Sequence, residues 1–109
     1  KIMGRYATLK KEFSFLAKQY GFEIDMKQKH GAYYYINWNN PNKNIMVLYD
    51  EREKEPITIR VFDADSLGTV YDAVEYKDEF DQRSGSPRER IHRAAEWLSN
   101  AIADKRIIV

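Results

Sequence analysis

At 109 residues, with 43% hydrophobic and 14% aromatic side chains, the chain can bury one core and is too short for two. Its 18 basic and 17 acidic residues nearly cancel, which argues against strong duplex-DNA binding, because that needs a basic excess to neutralise phosphates. The absence of cysteine removes disulfides, thiolate metal sites and cysteine nucleophiles.

The N-terminus, Lys1 to Lys11, is broken by charges and does not read as a signal peptide. The longest apolar run falls far below the ~20 residues of a membrane helix. A single cytoplasmic domain spanning residues 1–109, with no membrane partner, is therefore expected.

In chain order, Tyr6, Leu9, Phe13, Leu16, Ala17 and Tyr20 recur at helical spacing over an arc of about 100°. Gly21 follows where a left-handed C-cap belongs. The spacing predicts one helix from Tyr6 to Tyr20, with Phe15 projecting opposite its stripe. Phe22, Ile24 and Met26 then alternate with Glu23, Asp25 and Lys27, the pattern of a half-buried strand. A turn at His30-Gly31 leads to Ala32–Trp38, with Tyr34, Ile36 and Trp38 on one face and Tyr33, Tyr35 and Asn37 on the other. After the turn formers of residues 39–43, Ile45 to Tyr49 is apolar throughout, as in a central strand. Asp50 to Glu55 is a charged connection. Pro56 opens a fourth strand, with Ile57, Ile59 and Val61 opposing Thr58, Arg60 and Phe62.

Residues 63–82 are ambiguous, compatible with a short helix through Val70, Ala73, Val74 and Phe80 or with a strand over Val74–Lys77. Arg83 to Ser86 reads as a polar loop. Ser86-Pro87-Arg88-Glu89 is a helix start: serine at the N-cap, proline at the first helical position, and glutamate closing a capping box. Ile91, Ala94, Ala95, Leu98, Ala101 and Ile102 form the stripe that follows, with Trp97 at its edge. Ile107 to Val109 is read as a terminal strand or a cover for the core. The sum is an α+β domain: an N-terminal helix, a four-stranded antiparallel meander, a short irregular or helical segment, and a C-terminal helix.

Tests for chemistry return no motif. Asp63-Ala64-Asp65-Ser66-Leu67-Gly68 opens like a calcium loop, but Leu67 and Val74 stand where oxygen ligands are required. His30 and His92, the two histidines, have no partner ligand at metal-binding spacing, and His30 reads as a turn residue. There is no nucleophile elbow and no phosphate cradle among five scattered glycines. Asp50, Glu51, Glu53 and Glu55 could pair as acids and bases, but alternation with Arg52 and Lys54 is the signature of a solvated loop. No cofactor, metal or catalytic residue is assigned. An enzyme would require Asp50, Glu53 or His92 to converge in a pocket.

If both helices cover one sheet face, the other presents Tyr33, Tyr35, Met46, Leu48, Thr58 and Arg60. An aromatic-rich open face suits partner binding, with Asp50, Arg52 and Glu53 supplying charge complementarity nearby. Coverage by residues 63–82, or by a second copy, is the competing arrangement. Phe15 adds a second contact surface. The partner expected first is another protein. The alternative is single-stranded nucleic acid stacked on the tyrosines, with Arg60, Lys27 and Lys29 on its backbone.

Phe13-x-x-Leu16-x-x-x-Tyr20-Gly21-Phe22, followed by Ile45-x-Val47-x-Tyr49-Asp50-x-Arg52-Glu53, resembles small bacterial proteins in which a helix leads into strands ending in a tyrosine-aspartate-x-arginine stretch. Some of these are immunity-type proteins that neutralise a toxin. The resemblance covers the first half of the chain. It implies a bacterial, protein-binding role and carries over no binding residue.

Overall fold

The computed structural model describes residues 4–64 and 73–109. Its elements are α1 (Arg5–Glu12), α2 (Phe15–Tyr20), β1 (Glu23–His30), β2 (Tyr33–Asn39), β3 (Lys43–Asp50), β4 (Ile57–Asp63), β5 (Val74–Tyr76) and α3 (Pro87–Ala103). The strands form one antiparallel sheet in sequential order, β1 to β5. The α+β class and the meander are as expected, with a fifth strand added from the ambiguous segment. Within the described part of that segment, Val74–Tyr76 takes the strand reading. Val70, and the calcium-like loop from Asp65 onward, lie outside the described residues.

Alternation sets the faces. Ile36, Trp38, Ile45, Val47, Tyr49, Ile57, Ile59 and Val61 are buried and share one cluster with Leu9 of α1, Leu16 of α2 and Phe13 from the turn between them. Ile91, Ala94, Ala95, Leu98, Ala101 and Ile102 from α3 complete that cluster. All three described helices thus lie on one side of the sheet. Ile107 also enters this core, so the end of the chain covers it and adds no strand.

The expected N-terminal helix is broken in two. The Ser14 hydroxyl donates to the Lys11 carbonyl at 2.7 Å, and the Leu16 and Ala17 amides reach back only three residues, to Phe13 and Ser14. A serine competing for backbone carbonyls tightens the turn there and changes the phase of the residues beyond it. Phe15 therefore packs on the core, with its ring 6.3 Å from Phe13 and 6.4 Å from Tyr20, while Ala17 is exposed. Phe15 is thus a half-buried member of the core and does not project opposite the stripe as expected, and Ala17 leaves the stripe.

In β1 the register shifts between Ile24 and Met26, so Asp25 is a bulge residue. One extra residue exchanges the faces of everything after it. Gln28 and His30 come to lie opposite Tyr35 and Tyr33, and Lys27 and Lys29 lie opposite Ile36 and Tyr34. His30 is a strand residue, and the hairpin turns on Gly31-Ala32, with Gly31 at φ 60° as a tight two-residue loop demands.

The start of α3 follows the sequence expectation. The Glu89 amide donates to Ser86 Oγ at 3.2 Å and the Ser86 amide donates to Glu89 Oε1 at 3.0 Å. The other end of α3 carries no glycine to signal its closure. Lys105 sits at φ 64°, with its amide donating to the Ile102 carbonyl at 3.1 Å and that of Arg106 to the Ala101 carbonyl at 2.9 Å. That is a Schellman closure with lysine in the position glycine usually fills.

Candidate partner-binding face

The side of the sheet away from the helices is built from the second set of alternating residues. Across β2, β3, β4 and β5 the register aligns Tyr35 with Leu48 and Thr58, and Asn37 with Met46, Arg60 and Glu75. Tyr33 lies opposite Asp50 at the end of the same face. Neighbouring strands stand ~4.8 Å apart, so these side chains form one continuous patch. Tyr33, Tyr35, Met46, Leu48, Asp50 and Arg60 are thus brought together.

The patch is layered. Leu48 is only 3% exposed, so it is a floor between Tyr35 and Thr58 and offers no surface of its own. Tyr33 and Tyr35 stand partly exposed, ring centroids 6.1 Å apart in an edge-on arrangement. The Tyr35 hydroxyl donates to Gln28 Oε1, which also lies 3.1 Å from His30 Nε2. Burial pushes the Tyr33 phenol above its usual range, with Arg60 partly opposing the shift, so it remains a neutral donor at physiological pH.

The charges on this face are paired. Arg60 Nε donates to Glu75 Oε1 at 2.6 Å. Asp50 receives Arg52 at both carboxylate oxygens, Nε at 2.9 Å and Nη2 at 2.8 Å, and also accepts the Arg52 amide at 3.0 Å. These bonds hold its carboxyl down at about 2. Arg52 and Glu53 themselves lie in the turn beyond β3 and are exposed; the Glu53 amide closes the turn onto the Asp50 carbonyl at 3.1 Å. Arg5 anchors the same turn from α1: it reaches Glu51 at 2.8 Å and lies over the Tyr49 ring.

Several members of this face were missed from sequence. Gln28 and His30 join only through the Asp25 bulge, and Glu75 only through β5. The two lysines expected beside Arg60 are on the helix side, where Lys29 lies 5.1 Å over Tyr34 and Tyr34 meets Tyr6 edge-on. His92 also stands apart, on α3, with Glu12 at 3.1 Å and Glu96 at 3.5 Å. Among the described residues no group of three or more histidines and carboxylates is placed to hold a metal, and no helix is long and apolar enough to cross a membrane.

No protein-family model matches the chain, and neither a curated protein nor a solved structure is significantly similar to it.

Proposed function

We propose that this domain is a non-catalytic protein-binding module of the toxin-neutralising, immunity type, acting in a bacterial cytoplasm. The observation that carries the reading is the sheet face turned away from the three described helices, where Tyr33 and Tyr35 stand over a buried Leu48 with Met46 and Arg60 beside them. Tyrosine and arginine on a rigid, partly desolvated platform are the anchors from which protein interfaces draw most of their energy. The internally paired charges at Arg60–Glu75 and Asp50–Arg52 give the rim a fixed pattern for a partner to complement. The bacterial and toxin-neutralising parts of the reading rest on the resemblance in the first half of the chain.

Two features favour a protein over single-stranded nucleic acid. Arg60 is already engaged by Glu75, and Lys27 and Lys29 align with the opposite face. A non-catalytic role is supported by the placement of the candidate acids and bases: Asp50 is taken up by Arg52, and His92 lies against Glu12 and Glu96 on the helix layer.

The test is affinity capture from a bacterial host lysate with mass spectrometry, using the wild type and the Tyr33→Ala/Tyr35→Ala double variant as parallel baits. The expected result is a protein retained by the wild type and lost by the variant. Failure to capture any protein, together with a monomeric bait, would count against the reading. Oligonucleotide binding by fluorescence anisotropy that falls steeply with salt would transfer the face to nucleic acid.

A further inference from the structure

Charge is balanced in the chain as a whole but not along it. Residues 83–93 carry Arg83, Arg88, Arg90 and Arg93 against one acid, Glu89; four less one is +3, against +1 for the whole chain, so the remainder is −2. The fold adds a further cation to this stretch, because the turn between β3 and β4 brings Lys54 and Glu55 against it. Lys54, Glu55, Arg83 and Arg90 line a cleft of about 530 Å³.

The arginines of this region have different duties. Arg93 staples the loop before α3, with Nε donating to the Asp81 carbonyl at 2.8 Å and Nη2 to that of Ser84. Arg90 donates through Nε to the Gly85 carbonyl at 3.1 Å, which fixes its guanidinium while its two Nη groups make no bond among the described residues. Arg83 reaches Glu55 only at 3.7 Å, longer than a charge-assisted hydrogen bond, and its side chain is 80% exposed. Lys54 has no ion-pair partner among the described residues. Among the residues lining the cleft three cations stand against one acid, a local +2 with two planar forks and one ammonium as donors, while Asp78, Glu79 and Asp81 border the adjoining cleft that shares Glu55 and Arg83.

We infer that this cleft binds a phosphate dianion, free or as the terminal group of a phosphate monoester. Its charge matches a dianion rather than a single carboxylate, and its donor set suits a group with three terminal oxygens. Glu55 gives up its long contact with Arg83 when the phosphate enters and then limits the site to one such group. The site is separate from the tyrosine face and does not depend on that face binding a protein.

The experiment is an amide chemical-shift titration of the isotope-labelled protein with inorganic phosphate above neutral pH. Sodium chloride is withdrawn to hold ionic strength constant, and acetate is titrated in parallel. Saturable shifts are expected at Lys54, Glu55, Arg83 and Arg90 with phosphate and not with acetate. Arg83→Ala weakens binding by about tenfold, and Arg88→Ala, which removes the same charge outside the cleft, leaves it unchanged. A phenyl phosphate arm that saturates the same amides extends the site to monoesters; failure of that arm alone restricts it to the free ion. Equal shifts with acetate, equal loss from Arg88→Ala, or no saturable shift with phosphate would overturn the inference.

Discussion

The carboxamide of Gln82 stands in for a neighbouring strand at Ile57: it accepts from the Ile57 amide at 2.7 Å and donates to the Ile57 carbonyl at 2.8 Å. Its Nε2 also reaches the Lys77 carbonyl at 3.1 Å, so a polar side chain that is 1% exposed has both ends satisfied. β5 is only three residues long and pairs no further along β4 than Ile59. Gln82 therefore completes the edge of β4 where the sheet runs out. Truncation in Gln82→Ala leaves a buried N–H and a buried carbonyl unpaired, at a cost of about 2–4 kcal/mol. Urea denaturation should show the midpoint falling with little change in slope.

Lys105 holds a left-handed conformation that costs a residue with a Cβ roughly 1 kcal/mol. Lys105→Gly keeps the amide bonds that close α3 and removes that strain. Differential scanning calorimetry should show an increase in melting temperature of several degrees.

Phe15 and Ala17 exchange the roles that helical periodicity assigns them. Phe15→Ala removes a ring packed between Phe13 and Tyr20 and is expected to destabilise by about 2 kcal/mol. Ala17→Ser, on the exposed side, should change stability by less than ~0.5 kcal/mol. Chemical unfolding of the two variants distinguishes the broken helix from a continuous one, for which the order of effects is reversed.

Asp50 titrates at about 2 in the folded chain, below its ordinary value of 3.8, first because of the Arg52 side-chain bonds and then because of the Arg52 amide. A depressed carboxylate contributes stability that is complete above the unfolded value and is lost as pH falls through the folded one. Glu89 and Asp81 are depressed in the same sense, by the Ser86 and Arg83 amides respectively. Stability should therefore decline from roughly pH 4 toward 2. Asp50→Asn should narrow the gap to wild type over that interval and leave it constant above. Thermal melts across the acid range provide the check.

Much of this architecture was legible because local rules and tertiary packing agree. The six-residue stripe of α3, its Ser86–Glu89 box and the alternation of β2, β3 and β4 each follow from spacing alone. The failures occur where one side chain overrides a period. Ser14 restarts the N-terminal helix, and Asp25 inserts a single residue into β1; neither departs from the apolar pattern around it. Gln82 is invisible for a related reason, since a glutamine in a polar stretch gives no sign that its amide is buried against a backbone. The tyrosine face follows from alternation, and Tyr33, Tyr35, Met46, Leu48, Thr58 and Arg60 all lie on it, but its neighbours on β1 and β5 do not follow in that way. Gln28, His30 and Glu75 entered through the bulge and the fifth strand, and Lys27 and Lys29 left.

The proposed protein interface is anchored on Tyr33 and Tyr35. Isothermal titration of the captured partner against three folded baits tests it most directly: the wild type, Tyr33→Ala/Tyr35→Ala, and Lys10→Ala/Lys18→Ala, whose positions are exposed on the helix layer. Loss of the tyrosines is expected to weaken binding by about thirtyfold or more, while the lysine variant matches the wild type. Undiminished affinity in the tyrosine variant, with loss in the lysine variant, would contradict it.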